Sequence, residues 1–489
     1  MEAAQESQST SWRRVTWGAG KAGGALPVAL PLAAGLILRV WMLNRLFEVN
    51  GDSLIYGGMA KNLLLHGRFD LTLPSGELYP TLIRLPGYPL FLAACFRLFG
   101  MENYFAAACV QIALELLGCL LLADFAGRVV PQGMKRGAML ATLWLAALCP
   151  FTASYAVVPF TEGPTLFALA LAMWAMARFR EQPGWASALW FTFAVTWAAL
   201  LRPDGALAAV AFAPALLIGL RFGNGPGQIP LRELIRITAV CVTLALAPFA
   251  VWTARNWRVF HVFEPLAPRL ATDPDESSNP GWERWVKSWC LDFVSTYEIY
   301  WNVPWDRLDV SELPARAFDS PAQRAETAAL ADDYNRNGMV ITPEIDARFE
   351  KLAEERIAAN PLRYYVWLPL GRVADMWLRP RVENLNIDLD WWVYAHHNAE
   401  TRFSWFYVGL NALYLLLGLV GLGTRPRFWK FLLAYMLLRS ALLLTVEAPE
   451  ARYTLECFPM LFVLGGAAMG HALGRRHLPA NLKASEGNG

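Results

Sequence analysis

The chain is short of charge, of paired cysteines and of repeats, and each shortage excludes something. Charged residues make up 17% of its 489 positions, against roughly 25% in soluble domains, which argues against a water-soluble globule. The formal net charge is +2, and no basic stripe or RNA-binding motif appears, so nucleic acid is not an expected partner. The seven cysteines, Cys95, Cys109, Cys119, Cys149, Cys241, Cys290 and Cys457, show no CxxC spacing. Neither a zinc site nor a disulfide framework follows from them. No internal repeat or low-complexity tract is present.

What the chain does have is apolar length. Hydrophobic residues reach 55%, with 21 Trp, and the mean hydropathy is +0.30. Tryptophan favours the membrane–water boundary. Runs of about 20 apolar residues, enough to span a bilayer, fall near 25–43, 103–126, 137–157, 160–178, 185–201, 204–220, 235–253, 404–423, 430–446 and 453–472. The expectation is an all-α polytopic membrane protein with about ten transmembrane helices. The run 86–100, "PGYPLFLAACFRLFG", is short and opens with two prolines, which fits an interfacial or re-entrant helix. "SWRRVTWGAGK" precedes the first run and reads as the flank of an uncleaved signal anchor.

Lysine and arginine sort by loop. Arg13, Arg14, Lys135, Arg136, Arg178, Arg180, Arg232, Arg236, Arg425, Arg427, Arg475 and Arg476 fall on one side. The opposite short loops hold little beyond Arg202 and Arg452. The positive-inside rule then puts both termini in the cytoplasm and loops 44–102 and 254–403 outside, in the periplasm of a bacterium's inner membrane. The expected organisation is a cytoplasmic tail 1–24, a membrane module 25–253, a periplasmic insert 254–403, membrane helices 404–472 and a cytoplasmic tail 473–489. Within the insert, "ITPEIDARFEKLAEERIAANP" carries Thr342 as N-cap and Pro343 at the first helical position. "PLRYYVWLPLGRVADMWLRPR" is too charged to span and reads as an amphipathic surface helix.

Acids and arginines recur where the apolar runs meet the outer side: Arg39, Asp52, Arg84, Glu162, Arg202, Asp204, Arg255, Glu447, Glu450, Arg452 and Tyr453. Charge near a membrane interior is costly and wants a reason. Each residue alone could mark a helix end in the headgroups. Together they suit a ligand whose phosphate sits at that depth. Guanidiniums bind phosphate in two-point fashion, and a carboxylate can take a proton from an attacking hydroxyl. A rival reading makes Asp52 a helix cap, and the two roles are compatible.

"GDSLIYGGMAKNLLLHGRFDL", "RLPGYPLFLAACFRLFG", "PFTEGPTLFALALAMW", "LLRPDGALAAVAF", "APFAVWTARNWRVFHVFEPLAP" and "EARYTLECFPMLFVLGGA" follow in that order. In this order they resemble the glycosyltransferase family 39 or dolichyl-phosphate-mannose-protein mannosyltransferase-like group, which includes aminoarabinose transferases. The resemblance covers about 25–260 and 404–472. It implies a GT-C helical bundle that takes a sugar from a polyprenyl-phosphate carrier and passes it to a lipid, glycan or protein acceptor outside the cytoplasm. It maps the family's acid after the first helix onto Asp52, as the base for the acceptor. It makes Arg84 and Arg202 candidates for the phosphate. Tyr88, Glu162, Arg255, Glu450, Arg452 and Tyr453 join them as substrate-binding candidates. Relatives often carry a second acid directly after the first; here that residue is Ser53. Bond displacement in one step implies inversion at the anomeric carbon, since a covalent enzyme intermediate needs a second close carboxylate.

No cofactor follows from the residues, though some aminoarabinose transferases use a divalent metal near the donor phosphate. His396 and Glu400, four apart, are the pair that could hold one; interfacial polarity is the plainer reading. Glu115 and Arg439 fall inside apolar runs; they read as a structural pair first, and as lining of the pocket otherwise. "WERWVKSW" and "DLDWWVY" read as interfacial anchors or sugar-stacking rings. The competing function is a lipid-carrier or solute transporter, which would favour broken helices and inverted repeats.

Overall fold

The computed structural model describes residues 26–222, 230–268, 272–274, 278–385, 387–390 and 398–476. The first unit comprises α1 (Leu26–Leu46), α2 (Asp52–His66), a hairpin of β1 (Asp70–Thr72) and β2 (Leu78–Pro80), α3 (Gly87–Phe99), α4 (Tyr104–Val129), α5 (Lys135–Ala147), α6 (Pro150–Ala156), α7 (Glu162–Glu181), α8 (Trp185–Leu201), α9 (Leu207–Phe222) and α10 (Leu231–Phe260). The insert contributes α11 (Pro280–Lys287), the single turn α12 (Phe293–Ser295), α13 (Pro321–Arg336), α14 (Pro343–Ala359) and α15 (Leu368–Leu378). The chain returns through α16 (Asn398–Gly423), α17 (Trp429–Leu443) and α18 (Phe458–Arg476), the last preceded by a 3-10 turn over Ala451–Cys457.

A helix stands at each of the ten apolar runs, but the count of spans is lower than expected. Among the described residues, five stretches are long and apolar enough to cross a membrane: Leu26–Leu46, Tyr104–Val129, Leu231–Phe260, Asn398–Gly423 and Ala451–Gly474. Gln132–Ala147 and Pro150–Ala156 make a sixth if taken as one span bent by 54°. Pro150 explains the bend, because it offers no N–H to continue the preceding helix. The remaining runs fall short for two reasons. α8, α9 and α17 have 17, 16 and 15 residues, about 23–26 Å of helix against a core of about 30 Å. α7 has 20 residues but opens on Glu162 and closes on Arg178, Arg180 and Glu181. The protein is a multi-pass membrane protein in which, among the described residues, fewer helices are long and apolar enough to cross a membrane than there are apolar runs.

α7 is apolar all round and buried along nearly its whole length, as expected of a helix at the centre of a bundle. It packs against α4, α8 and α9, while α18 packs against α5 and α16. The main core runs through these helices, with Phe125, Met173, Phe212, Tyr435, Phe458 and Leu464 all buried. Arg39 lies inside α1 rather than at its end. It pairs with Glu115 of α4 and donates to the carbonyls of Ala147 and Gly35 at 2.6 and 2.9 Å. Glu115 is therefore paired, but with Arg39; the expected Glu115–Arg439 pair does not form.

The insert has a core of its own. Trp282, Trp285 and Trp289 are buried against Phe349, Leu352 and Tyr334. The "WERWVKSW" segment is thus packing, neither an interfacial anchor nor a sugar platform. Trp282 and Trp285 lie one turn apart on α11 and Trp289 follows just past its end, so α11 lays an aromatic face on α14 through Phe349. α14 begins as its sequence demands, with Thr342 Oγ1 accepting from Ile345 N at 3.4 Å and Pro343 behind it. Segment 363–378 is helical, with a π-turn over Arg363–Trp367. Leu368, Arg372 and Met376 are buried, and Tyr365, Trp367, Leu370 and Leu378 exposed.

Candidate active site

Four chain segments bring their ends to one place. α2 starts at Asp52, α7 starts at Glu162, α8 hands over to α9 through Arg202 and Asp204, and the turn before α18 carries Glu450 to Glu456. Helix starts present unpaired N–H groups and a partial positive charge. Acids at the first position of α2 and of α7 suit that field.

α2 is held at both ends by glycine. Gly51, at φ 44°, precedes Asp52, and Gly67 ends the helix at φ 67° with its N–H on the carbonyl of Leu63. Only glycine takes these angles readily. Asp52 is the first helical residue and not the cap, and no side-chain cap forms there. The capping alternative is thereby set aside. Ser53, directly after Asp52, is buried and donates to the carbonyl of Pro159 at 3.1 Å. It is tied to the turn before α7.

Asp52 sits between two arginines. Arg84 Nη2 reaches its Oδ1 at 2.8 Å, and Arg452 Nη1 reaches its Oδ2 at 3.5 Å. Arg452 also grips Glu450 and lies 3.9 Å from Glu162. Glu450 accepts from Tyr453. Arg202 extends the chain inward, to Glu162 at 2.9 Å, Glu456 at 3.1 Å and Asp204 at 3.3 Å. Arg439 closes it, 2.8 Å from Asp204 and 2.7 Å from Glu456. The network thus joins Arg84, Arg202, Arg439 and Arg452 with Asp52, Glu162, Asp204, Glu450 and Glu456.

Exposure divides this network. The Asp52 and Arg84 side chains are 28% and 23% exposed, whereas Arg439 is fully buried and Glu456 nearly so. Partly exposed ion pairs contribute about 0–1 kcal/mol, and stripping one partner from a buried pair costs about 3–5 kcal/mol. The outer pair is the more accessible and the less costly to separate; the inner set is the more costly to break. Burial alone would push the Asp52 carboxyl up, but Arg84 and then Arg452 more than offset it and hold it below the ordinary carboxylate range. Burial raises the nearby Tyr56 hydroxyl to about 12, so it stays protonated.

Arg84 belongs to the "RLPGYP" turn, which a close approach fixes in place. A Cβ on Gly87 would stand 2.5 Å from the backbone carbonyl of Leu200, so only glycine lets α3 meet α8 there. Tyr88 follows, fully buried, and donates to Gln111 Oε1 at 2.6 Å. Its ring packs edge-on against Tyr56 at 5.0 Å. Tyr88 braces the site from behind and has no bond to the ions.

Of the sequence candidates, Asp52, Arg84, Glu162, Arg202, Glu450, Arg452 and Tyr453 are joined in this one network. Arg255 stands apart. Its guanidinium donates to the carbonyls of Thr81 and Phe69, both at 2.7 Å, and stacks on Phe69, Trp252 and Phe260. It fastens α10 to the hairpin loop. Glu447 also lies apart, paired with Lys287 at 3.2 Å. Sequence reasoning did not single out Arg381. It is buried, with Nη1 on the Ala451 carbonyl at 2.7 Å and Nη2 on Thr454 Oγ1 at 2.5 Å. The only signal was an arginine between Pro380 and Val382 in "LRPRVEN".

Among the described residues no group of three or more metal-ligating side chains occurs. His396 lies outside the described residues; Glu400 accepts from the Asp388 backbone N at 2.8 Å.

No family model matches the chain, and no curated protein matches it. Among solved structures it is similar to ArnT from Cupriavidus metallidurans bound to undecaprenyl phosphate. That match has 16% identity over 93% of this chain and 79% of that one, with a TM-score of 0.39. It is similar also to the apo state of the same protein, at 16% identity over 92% and 77%, with a TM-score of 0.36.

Proposed function

We propose that this protein is a membrane glycosyltransferase that moves a sugar from a polyprenyl-phosphate carrier to an acceptor hydroxyl on the periplasmic side of the inner membrane. The observation that carries the reading is the partly exposed Asp52 carboxylate held between Arg84 and Arg452. One carboxylate flanked by two exchangeable guanidiniums supplies a base and a phosphate clamp in one place. The six ordered motifs resembling glycosyltransferase family 39 support the same class, and the GT-C description belongs to this proposal.

In this reaction the donor phosphate takes Arg84 and Arg452 from Asp52. The leaving group departs as a stable phosphate anion and needs positive charge rather than a proton. The acceptor oxygen bonds to the anomeric carbon from the face opposite the phosphate. The carbon–oxygen bond to phosphate breaks, its electron pair goes to the phosphate oxygen, and the acceptor's proton passes to Asp52. The sugar inverts. Arg202, bound to Glu162, Glu456 and Asp204, sets the position of the inner wall. The outer loops and insert face the periplasm in this reading, and both termini the cytoplasm.

The test is turnover of purified protein with undecaprenyl phosphates carrying a hexose, a pentose or an amino sugar. Transfer by wild type, its loss in Asp52→Asn at unchanged abundance, and an inverted product support the reading. Carrier movement across vesicles without bond cleavage would instead favour a transporter.

A further inference from the structure

The segment that follows α15 ends beside the ion network and carries two side chains with unused polar atoms. Arg381 rivets this segment to the turn bearing Arg452 and Tyr453, through the Ala451 carbonyl and Thr454 Oγ1. Two residues on, Glu383 Oε1 accepts from the Tyr155 hydroxyl at 3.2 Å. Tyr155 belongs to α6 and is within electrostatic reach of Arg452, Glu162 and Glu450. Glu383 is thereby tied, through Tyr155, to the surroundings of the same site. Its Oε2, and Nδ2 of the neighbouring Asn384, are both buried and have no hydrogen-bond partner among the described residues.

Buried polar atoms are seldom left unpaired, and one that is left so wants an explanation such as an absent ligand. Glu383 repels a phosphate, so the carrier's headgroup does not suit it. A lipid tail would leave both atoms unmet. A sugar ring meets both demands, since one hydroxyl donates to the carboxylate and a neighbouring hydroxyl accepts from the amide.

We infer that Glu383 and Asn384 are the residues that read the glycosyl group of the donor, by bonding to adjacent hydroxyls on its ring. This rests on the transferase reading above. Arg84 and Arg452 take the phosphate, and the Glu383–Asn384 pair holds the sugar. A side chain that must bond a hydroxyl also rejects a ring lacking it.

The experiment measures binding of plain undecaprenyl phosphate and of undecaprenyl phosphates carrying a hexose, a pentose or an amino sugar. The proteins are wild type, Glu383→Ala, Glu383→Gln and Asn384→Ala. The expected result is plain-carrier affinity within about twofold of wild type in every variant, with sugar-carrier affinity about 10- to 100-fold weaker in Glu383→Ala. Glu383→Gln keeps an acceptor for a hydroxyl and should fall between. Unchanged plain-carrier binding also shows that the variants are folded. Equal weakening of both ligands, or no change in either, overturns the inference while leaving the transferase reading in place. Wild type that binds none of these lipids overturns both.

Discussion

Asp52 and Arg452, from opposite ends of the chain, meet with Oδ2 and Nη1 3.5 Å apart, and Arg84 holds the other oxygen of the same carboxylate at 2.8 Å. The contact closes the segment between α1 and α4 onto the turn before α18. It leaves the carboxylate occupied, so in the proposed reaction the donor must release it before it can accept a proton.

Asp52→Asn should therefore lower turnover by about 10²- to 10⁴-fold, the usual contribution of a positioned base. The amide keeps the shape and a hydrogen-bond acceptor, so abundance and thermal unfolding in detergent should stay near wild type. Retained turnover would remove Asp52 from the base role.

Arg84→Ala should act on the donor more than on the acceptor. It leaves Arg452 in place and removes the more exposed of the two clamps. A rise of about tenfold or more in KM for the lipid donor is expected, with Arg84→Lys intermediate, because a point charge cannot reproduce a two-point grip. Steady-state kinetics with donor and acceptor varied in turn distinguish the two.

The pH profile follows from the same pair. Arg84 and Arg452 hold the Asp52 carboxyl below the ordinary carboxylate range against the opposing effect of burial. A depressed acid stays ionised as pH falls, so the acid limb of kcat/KM should lie below about 3.9, the unperturbed value. In Arg84→Ala that limb should move to higher pH. The pair's contribution to stability has the same sign: present above the unfolded value and lost as pH falls through the folded one. A limb that does not move in Arg84→Ala contradicts the assignment.

Arg39 and Glu115 offer a control outside the site. Arg39→Met strands a buried carboxylate between α1 and α4 and should cost about 3–5 kcal/mol. The double change Arg39→Met with Glu115→Leu should recover most of that loss and keep donor KM unchanged. Thermal unfolding in detergent and donor kinetics measure both parts.

Gly87→Ala should separate α3 from α8, since its Cβ would meet the Leu200 carbonyl at 2.5 Å. Overpacking of this kind costs about 1–3 kcal/mol. It should also displace Tyr88 and the turn holding Arg84, so donor KM should rise together with the loss of stability.

What the sequence made legible was whatever is decided locally or by charge in apolar surroundings. Thr342 and Pro343 announce α14 because a cap and a fixed φ act within one turn. Asp52, Glu162, Arg202 and Arg452 stand out because ions beside apolar runs need partners. Their pairing was not legible, because it depends on which helix ends meet. Arg439 was expected opposite Glu115 because both lie within apolar runs, yet α17 brings it to Asp204 and Glu456. The hairpin β1–β2 escaped notice because three-residue strands are too short for an alternating pattern. Arg255 carries the same helix-end signature as Arg202, but carbonyls rather than carboxylates face it. The three tryptophans in and just after α11 resembled a membrane anchor by composition alone; their spacing told of packing.

Arg381 has a further consequence for anyone recombining such proteins. Because its guanidinium grips the Ala451 carbonyl and Thr454, the insert's exit strand and the lead-in to α18 behave as one mechanical part. A chimera that swaps the insert must carry this latch across the splice, or the turn presenting Arg452 loses its anchor even though every membrane helix is intact.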